Sequence, residues 1–245
     1  MRQRQIFSFF LFSLLIYARA VFATISQVDG TIVPVLENCE VWAAVNHGEG
    51  FLNPPLVANN YTNFCTRTCT GGALCIDAQR DADIYPQVFL PVRGRPVVFV
   101  DLMEQAGYEN TFGWYNVGNP YVRYPIFTCT PTNHEPFQQI SVDFDAEWAA
   151  GRYDGGLIAF YIITPQNNVS GANCGSDIPV NNFGHIYFTE TEINGDGDYV
   201  HHLVYASRQD PERFYFAFED LFRGGDNDFS DYVIGVDGII PPCIP

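Results

Sequence analysis

The densest chemistry in the chain lies near its C-terminal end. Glu219, Asp220, Asp226, Asp228 and Asp231 place five carboxylates within thirteen residues, and Gly224-Gly225 let the backbone between them fold tightly. Like charges at that density repel unless a cation or hydrogen-bond donors sit among them. Calcium suits such a turn: it is hard, takes six to eight oxygens from Asp, Asn and backbone carbonyls, and is abundant outside cells. An EF-hand is excluded, because the position that needs Gly is Asp231 and the flanks have the texture of strands. Two other arrangements would use the same residues. Asp226 and Asp228 can accept backbone N–H bonds as an Asx-rich turn that holds no ion. Glu219 can pair with Asp226 or Asp228 as the carboxylates of a glycoside hydrolase, which needs separations of about 5–5.5 or 6.5–9.5 Å. The carboxylate count exceeds what one turn satisfies, which favours the cation.

A second acidic loop, Asn194-Gly195-Asp196-Gly197-Asp198, also sets oxygens at alternate positions. It either supplies Asn194, Asp196 and Asp198 to the same ion or to a second one, or is a hairpin connection, since Asn-Gly favours a primed turn. His201 and His202 cannot chelate one ion together if they lie on a strand, because neighbours there point to opposite faces; one is expected to pack and the other to meet solvent. His134 and His185 are isolated. No Gly-x-Ser-x-Gly elbow or His-Glu-x-x-His helix occurs, and no Gly-rich stretch leads into Lys-Ser/Thr, so serine-hydrolase and nucleotide chemistry are excluded. Seven cysteines, at 39, 65, 69, 75, 129, 174 and 243, fit disulfides in an oxidising compartment better than zinc. Their pairing is not deducible, and their odd number leaves one over.

These residues need elements to hold them. From about Tyr85 onward, short β-branched and aromatic runs recur: Val97 to Leu102, Tyr121 to Cys129, Leu157 to Thr164, His185 to Thr191, Tyr199 to Ala206, Phe214 to Phe218 and Tyr232 to Val236. Turn residues separate them, which predicts an all-β, antiparallel β-sandwich, jelly-roll-like, with minor helix at Leu102 to Ala106 and Asp145 to Ala150. Phe214, Phe216 and Phe218 alternate and so share one face of a strand, the core face. Trp114 and Tyr115 are read as core rather than as a binding surface. Before about Arg80 the chain is rich in Asn, Thr, Pro and Cys, which reads as an irregular, bridge-stapled extension.

The string Phe218-Glu219-Asp220-Leu221 followed by Gly224-Gly225-Asp226-Asn227-Asp228-Phe229-Ser230-Asp231-Tyr232-Val233 resembles the signature of the bacterial family known as domain of unknown function 4114. That signature runs F-E-D-L, a Gly-rich step, then G-D-x-D-F/Y-N-D-V-V. Tyr187 to Glu190, Asn194 to Asp198 and the His201-His202 pair are similar to its lead-in, with weaker echoes at Ala106 to Tyr115 and Gly155 to Tyr161. The likeness spans about residues 85 to 238. It implies an exported β-sandwich from a surface or matrix-type protein, suspected of binding calcium and without established activity. Ser230 stands where the family has Asn, and Tyr232 where it has Val.

The composition narrows the partners. With 28 Asp plus Glu against 12 Lys plus Arg, the chain carries a formal charge of −16, which repels phosphate backbones and anionic headgroups. Arg2 and Arg4, an apolar run from Ile6 to Tyr17 and small residues to Ala23 read as a secretory signal, so residues 1–23 are expected to be removed. The loss of Arg2, Arg4 and Arg19 deepens the charge to −19. The sequence-based expectation is a signal peptide (1–23), a Cys-rich extension (24–84) and a β-sandwich domain (85–240). The function expected is that of a secreted or cell-surface calcium-binding module. It would contact a glycan or envelope protein, with no nucleic acid and no membrane insertion after cleavage. A secreted carbohydrate-active hydrolase using Glu219, Asp226 and Asp228, or a structural envelope protein with no soluble ligand, are the alternatives.

Overall fold

The computed structural model describes residues 24–35, 81–104, 106, 108–130, 138–164, 185–207 and 210–242. The expected leader and every cysteine except Cys129 lie outside these residues, so the leader and the disulfide map are not described. Among the described residues eleven strands run in chain order: β1 (Leu90–Pro91), β2 (Val97–Glu104), β3 (Thr111–Asn116), β4 (Arg123–Phe127), β5 (Gln139–Val142), β6 (Ile158–Thr164), β7 (His185–Phe188), β8 (His202–Ala206), β9 (Arg213–Phe218), β10 (Tyr232–Asp237) and β11 (Ile239–Ile240). Among the described residues one α-helix, α1 (Phe144–Ala149), lies between β5 and β6. A five-stranded sheet has the order β5-β2-β10-β9-β8 and a four-stranded sheet β4-β3-β6-β7; β1 and β11 form a short third ribbon. Every pairing is antiparallel.

The expected antiparallel β-sandwich is borne out. The inner faces of the two larger sheets meet in an aromatic core. Phe160 of the four-stranded sheet lies 4.9 Å from Phe216 and 6.0 Å from Phe99 of the five-stranded one, and Phe112 lies 5.9 Å from Phe218. The alternation of Phe214, Phe216 and Phe218 places all three in this layer. Each buried Phe contributes about 1.5–3 kcal/mol, so the layer dominates the energetics. Trp114 and Tyr115 are both buried, as expected.

The outer faces are not left to solvent. Val100, Leu102, Leu203, Tyr205, Tyr215, Ala217 and Val233 point away from the aromatic layer and are covered by Val33, with Ile25, Ala82 and Ile84 packed beside them. Residues 24–35 and 81–84 of the expected extension are thus a lid on the five-stranded sheet, pinned by backbone bonds between Asp83 and Val204. This explains why β9 and β10 read as continuously apolar: both of their faces are buried.

Three expectations are corrected. Leu102 to Ala106 does not form a helix: β2 runs on to Glu104, held by pairing of Glu104 with Tyr232 and of Met103 with Val233, and the ladder overrides a weak helical pattern. The predicted helix at Asp145 to Ala150 is present as α1, capped by Asp143, whose carboxylate accepts from the N–H groups of Asp145 and Ala146. The Asn194-Gly195 segment is not a hairpin, because β7 pairs with β6 and β8 with β9; the loop carries the chain from one sheet to the other. Finally, both His201 and His202 are fully enclosed rather than one of them solvated. His201 is covered by the Tyr187 ring and held by Asp196 and the Glu219 carbonyl, while His202 lies beside Phe218 of the aromatic layer.

Candidate metal centre

Register decides where the acidic loops lie. His202 pairs with Phe218, and Tyr232 pairs with both Phe218 and Glu104. The connections β2–β3, β7–β8 and β9–β10 therefore emerge at the same end of the sandwich. The 219–231 connection is shaped by backbone that side chains rarely adopt: Arg223 (φ 58°), Gly224 (76°), Gly225 (42°), Asn227 (61°) and Phe229 (58°) are all left-handed. At Gly225 a Cβ would stand 2.5 Å from Leu221 Cβ and 2.7 Å from Glu219 Oε1, so only glycine lets the chain pass this close to the carboxylate. Phe229, fully buried under the outer lid, anchors the far side of the loop.

Within this frame the carboxylates converge. Oxygens of Glu219, Asp220 and Asp231 lie within 4.8 Å of one another, and so do oxygens of Glu219, Asp226 and Asp228. Glu219 and Asp220 are enclosed, Asp228 and Asp231 half-buried, and Asp226 exposed. Glu219 Oε1 accepts the Leu221 N–H at 3.2 Å, while its enclosed Oε2 accepts no hydrogen bond. Asp220 Oδ2 accepts from Asn110 Nδ2 at 2.8 Å, and Asp231 Oδ2 from the Asp220 N–H at 2.8 Å. Asp228 Oδ1 accepts the Ser230 N–H at 2.8 Å, so the Asx-turn reading holds for Asp228. Ser230 is buried where the family signature has Asn, and the Tyr232 hydroxyl lies 2.8 Å from that of Thr130.

The electrostatic cost is concentrated on the enclosed side. Burial, then the charges of Asp231, Asp226 and Asp220, pushes the Glu219 carboxyl well above its ordinary range. Burial and Asp231 do the same to Asp220. Burial raises Asp231 to about 6 even though the Asp220 N–H opposes it. Three acids that resist ionisation side by side are what a cation would relieve.

The second loop enters differently. Asn194 is used internally: its Oδ1 accepts the Phe188 N–H at 2.8 Å and its Nδ2 donates back to the Phe188 carbonyl at 3.3 Å. Asp196 Oδ2 lies 2.8 Å from His201 Nε2 and accepts the Arg223 N–H at 2.8 Å, tying the two acidic loops together. Asp198 is exposed, with φ 67°. Among the described residues, neither Asp196 nor Asp198 belongs to the converging sets. Sequence reasoning missed Asn110, which holds Asp220, and Gln27. The Gln27 amide bonds Asn227 Oδ1 at 2.6 Å, the Val200 carbonyl at 2.9 Å and the Val200 N–H at 2.8 Å. Isolated amides carry no motif, so no local signal marked them.

Residues 153–239 match the family model described as Domain of unknown function (DUF4114). The resemblance seen at the acidic turn is thus borne out from Tyr153 to Ile239, a span that includes both acidic loops; the echoes before Tyr153 lie outside the match. No curated protein and no solved structure matches the chain.

Proposed function

We propose that this protein is an exported, calcium-binding β-sandwich module that acts in binding at a cell surface or matrix. The observation that carries the reading is Glu219, the residue shared by both converging sets, whose Oε2 is fully enclosed and accepts no hydrogen bond. An unpartnered buried acceptor costs about 1–3 kcal/mol, more when charged, and a hard dication among oxygen donors removes that cost. The all-oxygen donor set favours calcium over zinc or copper. Bound calcium would stiffen a loop whose outer surface carries the exposed Leu221 and Phe222, which supports a role in presenting that end of the sandwich to a glycan or envelope protein.

A hydrolase is less well supported. Glu219 is enclosed, and an acid that a glycosidic oxygen does not reach cannot protonate it. The test is thermal unfolding of the full chain in millimolar calcium and in chelator. A melting temperature several degrees higher in calcium is expected. Identical melts, with calcium well above any plausible dissociation constant, would overturn the reading.

A further inference from the structure

The proposed calcium site rests on one shared residue, and the geometry around that residue points to more than one ion. Calcium–oxygen distances of 2.3–2.6 Å put oxygens on opposite sides of one ion about 4.6–5.2 Å apart. Among the described residues, the carboxylates whose oxygens lie within 4.8 Å of one another do not form one set of five. They form two, Glu219 with Asp220 and Asp231, and Glu219 with Asp226 and Asp228. A single ion seated in either set leaves two of the five carboxylates outside that set. It would also neutralise only two of five formal negative charges.

We infer that the turn holds two divalent cations, with Glu219 as the carboxylate common to both. The inference rests on the calcium reading above and extends it to a stoichiometry and a division of labour. The inner ion sits among groups fixed by the fold: Asp220 is held by Asn110, Asp231 is braced by the Asp220 N–H, and the enclosed Glu219 Oε2 accepts no hydrogen bond. The outer ion sits between Glu219 and the more accessible Asp226 and Asp228. With Asp226 exposed and Asp228 half-buried, the outer ion completes its shell with solvent or the hydroxyls of a partner. It is therefore the exchangeable one. Glu219 carries two oxygens, enough for one toward each ion, and Gly225 keeps the space beside it clear.

The test is a count. Full-length protein is stripped with chelator, titrated with calcium chloride by calorimetry, and its bound metal measured by elemental analysis after gel filtration at fixed free calcium. Two calcium ions per chain are expected, in a tight and a weaker step. The paired Asp226→Asn and Asp228→Asn changes lie on the accessible side and are expected to leave one ion and the tight step. Asp220→Asn is expected to weaken the tight step at least tenfold. One ion per chain in the unaltered protein would overturn the two-ion inference while leaving the calcium reading standing. No ion at millimolar calcium would overturn both. Two ions retained after the paired outer changes would also overturn the inference, because the second would then lie elsewhere. Glu219→Gln should reduce both steps; where it fails to fold, the outer pair decides.

Discussion

His201 joins the two acidic loops through both ring nitrogens: Nε2 lies 2.8 Å from Asp196 Oδ2, and Nδ1 lies 2.9 Å from the backbone carbonyl of Glu219. A carbonyl only accepts, so Nδ1 carries a hydrogen. Burial alone would raise the Asp196 pKa, but the bond from His201 and the Arg223 N–H outweigh it and hold the carboxyl below its ordinary range. The ring thus links the Glu219 backbone to the Asp196 carboxylate. Tyr187 stacks on it at 3.6 Å with an interplanar angle of 13°. The ring and its carboxylate are both enclosed, and removing one member of such a pair costs about 3–5 kcal/mol. His201→Gln should therefore lower stability by about 3 kcal/mol in urea unfolding. His201→Gln combined with Asp196→Asn should cost less than the sum of the single changes. Additive losses would show that the two residues act independently.

Gln27 does for the N-terminal segment what His201 does for the second loop. Its amide reaches the backbone of Val200 on one side and Asn227, inside the acidic turn, on the other. A further backbone bond runs from the Val35 N–H to the Asn227 carbonyl. Gln27→Ala strands buried partners and should cost about 1–3 kcal/mol. Because Asn227 lies between Asp226 and Asp228, the same change should weaken the outer calcium step more than the inner one. Calorimetry on the variant would show this; equal weakening of both steps would mean that Gln27 acts on stability alone.

The legibility of this molecule divides by range. Phe214, Phe216 and Phe218 announce a strand with one core face because a period of two is a local property, and α1 announces itself through its Asp143 cap and short polar run. The five carboxylates of the turn are legible for the same reason: they are close in sequence, and the structure only had to fold them. What stayed hidden was supplied from afar. Asn110 reaches Asp220 across 110 positions, and Gln27 reaches Asn227 across 200. Solvent at one of the two histidines was a sound expectation for a sheet with an open face. It failed because Tyr187, Asp196 and the Glu219 carbonyl, all distant or across a loop in sequence, enclose His201, and Phe218 of the inner layer lies beside His202. The strand over Thr111–Asn116 was passed over because Gly113 interrupts its apolar run. A Cβ there would stand within 3 Å of both the Tyr124 backbone and the Tyr161 ring, so the gap in the pattern is itself a close approach between strands.

His202 gives the protein an acid-labile point. Burial first, and then the neighbouring charge of His201, lowers its pKa from the ordinary 6.5 to about 3. The folded state thus rejects a proton that the unfolded state accepts. Above pH 6.5 the group contributes nothing to the pH dependence; as the pH falls from 6.5 toward 3, stability is lost at up to about 1.4 kcal/mol per unit. Between pH 7.5 and pH 5 the unaltered protein should lose about 2 kcal/mol relative to His202→Leu, with both measured by urea unfolding at fixed calcium. Parallel stability curves for the two proteins would contradict this.

The carboxylates of the turn have the opposite sign. Asp231, raised from 3.8 to about 6, holds its proton more firmly when folded than when unfolded. Its contribution is fully present below about pH 3.8 and is lost as the pH rises through about 6, a change on the order of 2–3 kcal/mol. Glu219 and Asp220 are shifted in the same direction. Calcium binds the ionised groups, so it restores stability where the protons have gone. The difference in melting temperature between calcium and chelator should be small at pH 4.5 and should widen toward pH 8. A difference that shrinks with rising pH would mean that calcium acts somewhere other than at these carboxylates.

Gly225 separates folding of the sandwich from assembly of the turn. Its φ of 42° is unfavourable for a side chain, and an added Cβ would press on Leu221 and on Glu219 Oε1. The residue lies on an exposed part of the loop, away from the Phe160 and Phe216 layer that holds the sheets together. Gly225→Ala should therefore leave the sandwich folded, with a stability loss of about 1–2 kcal/mol from the strained backbone, while displacing the carboxylate that both calcium sets share. Calcium affinity should fall at least tenfold in both steps, more than Asp226→Asn produces in either. Near-ultraviolet circular dichroism would confirm that the aromatic core is intact. If calcium binds to Gly225→Ala with unaltered affinity, the position of Glu219 does not depend on the tight turn beside it, and the ion is held by a different set of oxygens.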